Sequence, residues 1–258
     1  MELVLFLTGA GISAESGIPT FRGPEGYWQI GSRNYRPTEL ATFAAFREMP
    51  SEVWGWYLYR RGVCLAAEPN PAHVALVRLE RAIGERFHLI TQNVDGLHLR
   101  AGHDPERVYR IHGDLHSFRC MEDCSFDVHP IPDDLGPKWE KGRLPTADEL
   151  ERLRCKHCGA LGRPHVLFFD ESYNEELSYF ESARRKAFDA DALFVVGTSF
   201  ATNLPNQLAA IAETRGIPLY IIDPEPGPYA RLAEASGGGY FQGSAVELLP
   251  PLIEREID

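Results

Sequence analysis

Short runs of consecutive apolar residues recur along this chain, and longer stretches with helical periodicity separate them. The runs cover residues 3–7, 87–91, 108–111, 192–196 and 218–222. Continuous apolar runs, in contrast to alternating ones, are typical of strands in a parallel sheet that is covered on both faces. We therefore predict an α/β fold built on a doubly wound, mainly parallel sheet of the Rossmann-like kind.

The stretches between the strands predict helices over residues 52–67, 71–83, 175–188, 205–214 and 245–254. We expect Ser51 to cap the first of these helices, because a serine hydroxyl can accept a hydrogen bond from an amide of the first turn. Gly216 stands where the fourth helix should end, because glycine readily adopts the left-handed conformation found at helix C-termini.

Two segments break this alternation. Residues 23–50 are rich in Gly, Pro, Arg and aromatic residues and hold no clear strand, and a loop this long inside a compact domain is usually functional. Residues 114–164 carry two cysteine pairs and predict a small inserted zinc-binding domain. We assign 1–22, 68–113 and 165–258 to a Rossmann-like dinucleotide-binding domain, 23–67 to a cofactor-binding loop and the helical part of a small domain, and 114–164 to its zinc-binding part.

Charge and apolar content limit the classes of partner. The 258 residues have a formal net charge of −11 at pH 7, whereas sequence-independent nucleic-acid binding needs a basic surface. No stretch approaches the roughly 18 consecutive apolar residues that read as a transmembrane helix. The first apolar run has no basic segment before it and stops at a glycine loop. We therefore expect no nucleic-acid partner, no membrane contact, no signal peptide and a cytoplasmic location.

A glycine-rich turn follows the first predicted strand. Gly9, Gly11 and Ala14 match the Gly/Ala form of the dinucleotide fingerprint, in which glycines let the backbone approach a pyrophosphate at a helix N-terminus. The alternative is a tight strand-to-helix turn with no ligand. A Rossmann dehydrogenase also has an acidic residue about 20 positions further on, and residues 29–33 provide none. The pattern therefore does not support ordinary hydride transfer.

Four of the five cysteines form two close pairs that are separated by thirty residues. The pairs are Cys120 with Cys124 and Cys155 with Cys158. Thiols on two such turns suit tetrahedral Zn²⁺, and four thiolates leave no open coordination position, so the site would be structural. The alternatives are disulfides or free thiols, which an intracellular chain favours less. Cys64 stands alone in a predicted helix, and we interpret it as core packing.

Polar residues follow two other predicted strands. His112 ends one strand beside a glycine, and an imidazole there can act as a general base near neutral pH. Asn93 and Asp95 come after another strand, where ligands bind in open α/β sheets. The structural alternatives are a hydrogen-bonded histidine for the first, and a turn or helix cap for the other two.

Tyr57 and Arg60 are three residues apart on a predicted helix and therefore share one face. A guanidinium beside a phenol suits a carboxylate, because arginine donates two parallel hydrogen bonds and stays charged. The alternative is a solvated arginine beside a packed tyrosine.

Taken together, these residues resemble those of the sirtuin family. Residues 9–22 match its phosphate-loop pattern GAGxSxxSGIPxFR, residues 91–98 match TQNxDGLH, and residues 112–113 match its HG dipeptide. The paired cysteines, the RPHV segment at 163–166 and the GTS segment at 197–199 follow in the family's order. The resemblance covers nearly the whole chain.

The resemblance implies a role for each matching position. His112 would be the general base, and Asn93, with Gln92, would contact the nicotinamide-side ribose; Asp95 would bind the nicotinamide amide. The NAD site as a whole would comprise Gly9, Ala10, Gly11, Ala14, Thr20, Phe21, Arg22, Gln92, Asn93, Asp95, Gly197, Thr198, Ser199, Asp223 and Ala245. Val166 and Phe169 would contact the substrate peptide, and one structural Zn²⁺ would be bound by Cys120, Cys124, Cys155 and Cys158.

The family's chemistry implies that NAD is consumed as a co-substrate. The acyl-lysine oxygen attacks the anomeric carbon and expels nicotinamide, and the histidine base then activates a ribose hydroxyl that takes the acyl group. The products would be nicotinamide, free lysine of a protein or peptide, and O-acyl-ADP-ribose. The alternatives are an NAD glycohydrolase, an ADP-ribosyltransferase, or an NAD-sensing module without turnover.

The pair Tyr57 and Arg60 resembles the acyl pocket of the sirtuin class that removes succinyl and malonyl groups, and some bacterial members with this pair also remove acetyl groups. Trp54 and Trp56 would line the rest of that pocket. The chain departs from the family at Asp170, where a glycine is usual, and this substitution adds a charge beside the peptide groove.

Overall fold

The structure is a computed structural model, and it describes residues 3–19, 28–30 and 33–257. Its strands, in chain order, are β1 (Val4–Thr8), β2 (Trp28–Ile30), β3 (Arg33–Tyr35), β4 (Phe87–Thr91), β5 (Val108–Arg110), β6 (Gly113–Cys120), β7 (Val128–Pro130), β8 (Gly162–Val166), β9 (Ala192–Val196), β10 (Leu219–Asp223) and β11 (Gly239–Gln242).

The helices are α1 (Pro37–Leu40), α2 (Phe43–Glu48), α3 (Pro50–Ala66), α4 (Pro71–Ile83), α5 (Leu97–Ala101), α6 (Ala147–Glu151), α7 (Glu175–Ser178), α8 (Phe180–Asp189), α9 (Asn203–Arg215), α10 (Ala230–Ala235) and α11 (Ala245–Ile257). A 3-10 helix covers Ala10–Ser16, where the sequence predicts the start of an α-helix after the glycine turn.

Six strands form one parallel sheet in the order β11-β10-β9-β1-β4-β5. The chain winds from β1 through β4 to β5 on one side, and from β9 through β10 to β11 on the other. The winding direction therefore reverses between β1 and β9, which is where open α/β sheets bind ligands. The predicted doubly wound Rossmann-like fold and its five predicted strands are confirmed, and β11 is an additional edge strand.

Apolar side chains of the sheet alternate between two cores. Leu5 and Leu7 face a core formed with α8, α9 and α10, whereas Phe6, between them, faces a core formed with α4 and α11. Burying both faces of each strand explains why the strands read as continuous apolar runs.

The predicted helices form with adjusted ends. Helix α4 has the predicted bounds, and Gly216 (φ 65°) ends α9 as expected. The expected Ser51 cap is wrong, because α3 begins at Pro50 and Ser51 lies inside its first turn. The helix predicted over 175–188 is divided in two at Tyr179, whose φ of 53° interrupts the helical path.

The expectation that residues 23–50 hold no strand is wrong. Within the described part of this segment, β2 pairs antiparallel with β3, and α1 and α2 follow. Each of these elements is short, and a two-stranded ribbon of three residues per strand leaves little periodicity for a sequence pattern to detect.

A smaller lobe packs around a second sheet, with antiparallel strands in the order β7-β6-β8. Its core joins this sheet to α1, α2 and α3, and its largest member, Trp54, is fully buried and donates from Nε1 to the Gly162 carbonyl (2.9 Å). Both β6, from Gly113, and β8, to Val166, belong to this small sheet. The domain boundaries given above remain a prediction.

No helix in the described ranges is long and apolar enough to cross a membrane.

Gly113 lies where the chain leaves the main sheet for the small one. Its φ is 77°, and a Cβ atom there would overlap the backbone carbonyl of His165. Only glycine has both the left-handed conformation and the space that β6 and β8 need to pair at this position.

We expect Gly113→Ala to lower the free energy of unfolding by about 2–4 kcal/mol. The strain of a left-handed alanine and the clash of its Cβ with the His165 carbonyl both contribute to this loss. Gly142→Ala is the matched control, since Gly142 has φ 89° and open space around it. The control should lose only about 1 kcal/mol in urea denaturation. Equal losses for the two variants would contradict the close-packing explanation.

Candidate active site and metal centre

Loops at the carboxyl ends of β1, β4, β9 and β10 are hydrogen-bonded to one another through the backbone. The Gly9 amide donates to Val196 (2.9 Å), the Gln92 amide to Thr8 (3.0 Å), and the Gly197 amide to Ile222. The parallel strands thus bring four polar loops to one edge of the sheet, at the point where its winding direction reverses.

The glycines of the first loop contact a second loop. A Cβ on Gly11 would lie 2.6 Å from the Gly197 Cα, and a Cβ on Gly9 would lie 2.6 Å from Thr198 Oγ1. The Gly11 amide also donates to the Gly197 carbonyl (2.9 Å). Contact between the loops after β1 and β9 therefore requires these glycines, a reason that the sequence analysis did not identify.

Asn93 and Asp95 converge on Ser13 of the 3-10 helix. Asn93 Nδ2 donates to the Gly9 carbonyl (3.0 Å) and to Ser13 Oγ (3.2 Å). Asp95 is buried; its carboxylate accepts from the Leu97 amide (2.8 Å) and bonds with Ser13. Burial raises the pKa of Asp95 and outweighs these hydrogen bonds, which lower it. Asp95 thus forms the turn that was one of its two structural alternatives, and it does not cap α5, whose N-cap residue is Gly96.

Gln92 connects the β4 loop to the loop after β9. Its side-chain Nε2 donates to the Thr198 hydroxyl, and its Oε1 accepts from the Thr202 hydroxyl (3.0 Å). Its backbone carbonyl accepts from His112 Nδ1 (2.9 Å). One residue thereby fixes both an adjacent loop and the histidine ring.

His112 has a defined tautomer. Because the Gln92 carbonyl can only accept, Nδ1 carries the proton and Nε2 presents its lone pair, which accepts from the Tyr173 hydroxyl (2.8 Å). Burial lowers the pKa of His112 to about 4. The imidazole is therefore neutral at physiological pH, as a general base must be.

Other predicted cofactor residues lie along the same edge. Asp223 ends β10, is buried, and accepts from the Glu225 amide (3.0 Å), while Ala245 is buried at the start of α11. Ser199 is exposed, and Ala10 and Ala14 lie on the 3-10 helix. Thr20, Phe21 and Arg22 lie outside the described residues.

The segment after β8 passes directly beside His112. The Leu167 amide, next to Val166, donates to the His112 carbonyl (3.0 Å). The Phe169 side chain is exposed, and its backbone amide donates to the Ala41 carbonyl (2.8 Å). The carboxylate of Asp170 is exposed and accepts from the Phe43 amide (2.7 Å) and the Ala44 amide, so its charge lies at the first turn of α2, whose N-cap residue is Thr42.

Ion pairs hold this segment to the small lobe. The guanidinium of Arg163, which is 1% exposed, pairs with both oxygens of Glu171 and stacks on the Phe168 ring (3.8 Å). Arg119 contacts the same carboxylate (3.2 Å).

Tyr57 and Arg60 lie on α3 beside the segment that carries Phe168. The Tyr57 ring is buried against Phe168 (5.9 Å between centroids), and burial raises the pKa of its phenol, which therefore stays neutral. The positive charge of Arg60 lowers the pKa of both Tyr57 and Asp95, so it lies within electrostatic reach of the polar pocket. Trp56 packs against the Arg60 guanidinium (5.1 Å), whereas Trp54 is fully buried and donates to the Gly162 carbonyl. That the two tryptophans line an acyl pocket stays a prediction.

The four paired cysteines come together as one cluster. Their sulfur atoms all lie within 4.8 Å of one another, and no disulfide joins them. Separations of 3.5 Å (Cys120 to Cys158) and 3.4 Å (Cys124 to Cys155) are far too long for an S–S bond. Tetrahedral Zn–S bonds of about 2.3 Å place thiolates roughly 3.8 Å apart. The donor set therefore fits one structural zinc ion and disfavours the disulfide alternative.

Sequence analysis missed two side chains of the site. Ser13 belongs to the quoted phosphate-loop pattern, and its position there was a usable signal. Tyr173 is 61 residues from His112, and no pattern in the sequence connects the two.

The family model described as "Sir2 family" matches residues 9–203 of this chain. The chain belongs to the Sir2 family. A relative from Leptospira interrogans serogroup Icterohaemorrhagiae serovar copenhageni, named NAD-dependent protein deacylase, is 40% identical to this sirtuin over 252 residues, with 98% of this chain and 92% of the relative covered. The zebrafish (Danio rerio) protein named NAD-dependent protein deacylase sirtuin-5, mitochondrial, is 36% identical to this chain over 264 residues. The alignment covers 98% of this chain and 82% of the zebrafish protein.

A crystal structure of a Sir2 homologue in complex with NAD superposes on this sirtuin with a TM-score of 0.79. The two chains are 37% identical, and the superposition covers 98% of this chain and 88% of the other.

We expect this sirtuin to contain about one zinc ion per chain and Cys158→Ser to contain far less, because a tetrathiolate site loses much of its affinity with one ligand. The variant should also unfold at lower temperature. Metal content measured by mass spectrometry provides the test, and Cys64→Ala, which changes a buried cysteine outside the cluster, should retain its zinc. Full zinc occupancy in Cys158→Ser would contradict the assignment.

Proposed function

We propose that this protein is an NAD-dependent protein-lysine deacylase that acts on succinyl and malonyl groups and also on acetyl groups. The observation that carries the proposal is the convergence of four polar loops with His112 at the reversal point of the sheet. The names of its relatives, deacylases of Leptospira and zebrafish, support the same activity.

The residues at this edge suit NAD as co-substrate. When bound, NAD supplies a cleavable bond between nicotinamide and ribose and an ADP-ribose that can accept an acyl group. We assign its pyrophosphate to the loop at residues 9–14, with Phe21 shielding the reactive ribose and Arg22 helping to order the loop that also carries Thr20. We assign its adenosine to Gly197, Thr198, Ser199, Asp223 and Ala245. Exposed Ser199 and buried Asp223 would provide polar groups for that half, and buried Ala245 would provide an apolar contact.

Gln92, Asn93 and Asp95 would face the nicotinamide half. Asp95 can accept from a carboxamide, and its buried carboxylate is held in place by Leu97 and Ser13. Asn93 is fixed by its hydrogen bonds to Gly9 and Ser13, so its side chain is positioned in advance. Because Asn93 and Asp95 are buried, each polar contact in this half would be stronger than it is in water.

His112 would act as the general base. It is neutral, its Nδ1 proton is fixed by the Gln92 carbonyl, and Nε2 is the atom that would take a proton from a ribose hydroxyl. The arrangement resembles other bases whose tautomer is set by a carbonyl partner.

The acyl group would enter between α3 and the segment after β8. The neutral phenol of Tyr57 and the cation of Arg60 can donate three or more hydrogen bonds to an acyl carboxylate. Burial of Tyr57 makes that interaction stronger than it would be in water.

A substrate peptide would add alongside β8. Among the described strands, β8 pairs with β6 on one side and with no strand on the other, so an extended peptide could add at that edge, near Val166 and Phe169. Because Leu167 bonds to the His112 carbonyl, such a peptide would pass next to the base. We also propose a cytoplasmic location, since four reduced zinc thiolates suit a reducing compartment.

We expect nicotinamide release from NAD with succinyl-lysine and acetyl-lysine peptides, together with free lysine and O-acyl-ADP-ribose detected by mass spectrometry. His112→Ala should abolish O-acyl-ADP-ribose formation. Free or protein-bound ADP-ribose without acyl transfer would instead indicate a glycohydrolase or ADP-ribosyltransferase, and NAD binding without any turnover would indicate a sensor.

We expect Arg60→Met to lower kcat/KM for a succinyl peptide about 10- to 100-fold, because a hydrogen-bonded charge pair is lost, while acetyl-peptide turnover changes little. Arg47→Met, at an exposed position on the neighbouring helix α2, is the matched control and should leave both rates unchanged. Equal losses for the two acyl groups in Arg60→Met would exclude the proposed acyl pocket.

A further inference from the structure

The Tyr173 hydroxyl lies 2.8 Å from His112 Nε2, which is the nitrogen that a general base would use. Since Nδ1 donates to the Gln92 carbonyl, Nε2 is the acceptor and the phenol is the donor. Burial raises the pKa of Tyr173, so the phenol keeps its proton at physiological pH. The direction of this hydrogen bond is therefore fixed by its two partners.

Two other rings contact the Tyr173 ring. It stacks on the His112 ring (5.8 Å between centroids, 26° between planes) and on the Phe180 ring of α8 (5.7 Å, 15°). Such offset stacking restricts the two side-chain torsions that aim a tyrosine hydroxyl. The hydroxyl cannot leave Nε2 by a small rotation without losing contact with one of the two rings.

The Tyr173 hydroxyl also lies beside the Thr202 side chain and the backbone of Leu204. Thr202 in turn donates to Gln92 Oε1 (3.0 Å), and Gln92 holds His112 Nδ1. Gln92 therefore contacts the His112 ring through its backbone carbonyl and the Thr202 hydroxyl through its side chain. Both imidazole nitrogens of His112 are hydrogen-bonded, Nδ1 to the Gln92 carbonyl and Nε2 to the Tyr173 phenol.

We propose that Tyr173 is a positioning residue for His112: its hydroxyl keeps Nε2 unprotonated and aimed into the site until a substrate hydroxyl takes its place. This inference rests on the proposed function for its catalytic meaning. An imidazole nitrogen has one in-plane lone pair, so a ribose hydroxyl can reach Nε2 only by replacing the phenol. No bond within the protein is made or broken in this exchange besides the hydrogen bond itself.

A hydrogen bond donated to Nε2 stabilises the neutral imidazole, so its loss should make His112 easier to protonate. Burial and the Gln92 carbonyl are the other influences on the His112 pKa, and Tyr173→Phe leaves both in place. The phenylalanine ring also keeps its stacking on Phe180, so the variant should fold. A neutral hydrogen bond corresponds to about a fivefold change in the protonation constant, or roughly 0.7 pH unit.

The test uses the whole protein with ¹⁵N-labelled histidine, and His112→Ala assigns the His112 signals. In Tyr173→Phe, the Nε2 signal should move toward that of an imidazole nitrogen without a hydrogen bond, and its titration midpoint should rise by about 0.7 pH unit. Tyr179→Phe is the matched control, because the Tyr179 ring stacks on Tyr109 and not on His112. An unchanged midpoint in Tyr173→Phe, or an equal shift in Tyr179→Phe, would overturn the proposal.

Activity provides the second readout. The acid limb of deacylation should move upward with the His112 midpoint in Tyr173→Phe, so the ratio of deacylation to nicotinamide exchange should fall at acidic pH. A parallel loss of both reactions at every pH would instead indicate a merely structural role. Absence of nicotinamide exchange in the unmodified protein would refute the proposed function, whereas the titration would still decide the role of Tyr173.

Discussion

The contact between the loops after β1 and β9 is the constraint on which the rest of the site depends. Gly11 and Gly197 approach so closely that neither position has space for a side chain, and the Gly11 amide bonds to the Gly197 carbonyl. Because this contact fixes two loops at the reversal point of the sheet, Asn93 and Gln92 can bond to both of them. A polar pocket follows from close backbone packing, with glycine as the residue that permits it.

Burial then sets the chemistry of the groups in the pocket. It raises the pKa of Asp95, lowers that of His112 to about 4, and raises that of Tyr57. The common cause is the cost of a charge in a low-dielectric environment, and it leaves a neutral base and a neutral phenol at physiological pH. The positive charge of Arg60 opposes this effect at both Asp95 and Tyr57, so the charge on α3 is felt in the polar pocket.

The small lobe provides a second side for the cleft, and its attachment is polar as well as apolar. Arg163 is buried beneath Phe168 and paired with Glu171, so the segment beside His112 is tied to the zinc-bearing sheet. Removing one partner of a buried ion pair typically costs about 3–5 kcal/mol, which indicates how firmly this segment is held. The zinc cluster, β8 and the base are thereby parts of one connected structure.

The sequence by itself determined the parallel sheet, the cysteine cluster and the order of the polar loops, because apolar runs, cysteine spacing and glycine turns are local patterns. It could not predict the β2–β3 ribbon, the break at Tyr179 or the failure of Ser51 to cap α3, which depend on short elements and exact helix starts. Only the tertiary structure decided that Asp170 bonds to the first turn of α2, that Trp54 donates to Gly162, and that Tyr173 bonds to His112. The reason is physical: these contacts join residues that are distant in sequence, and only the packing of the two lobes decides which side chains meet.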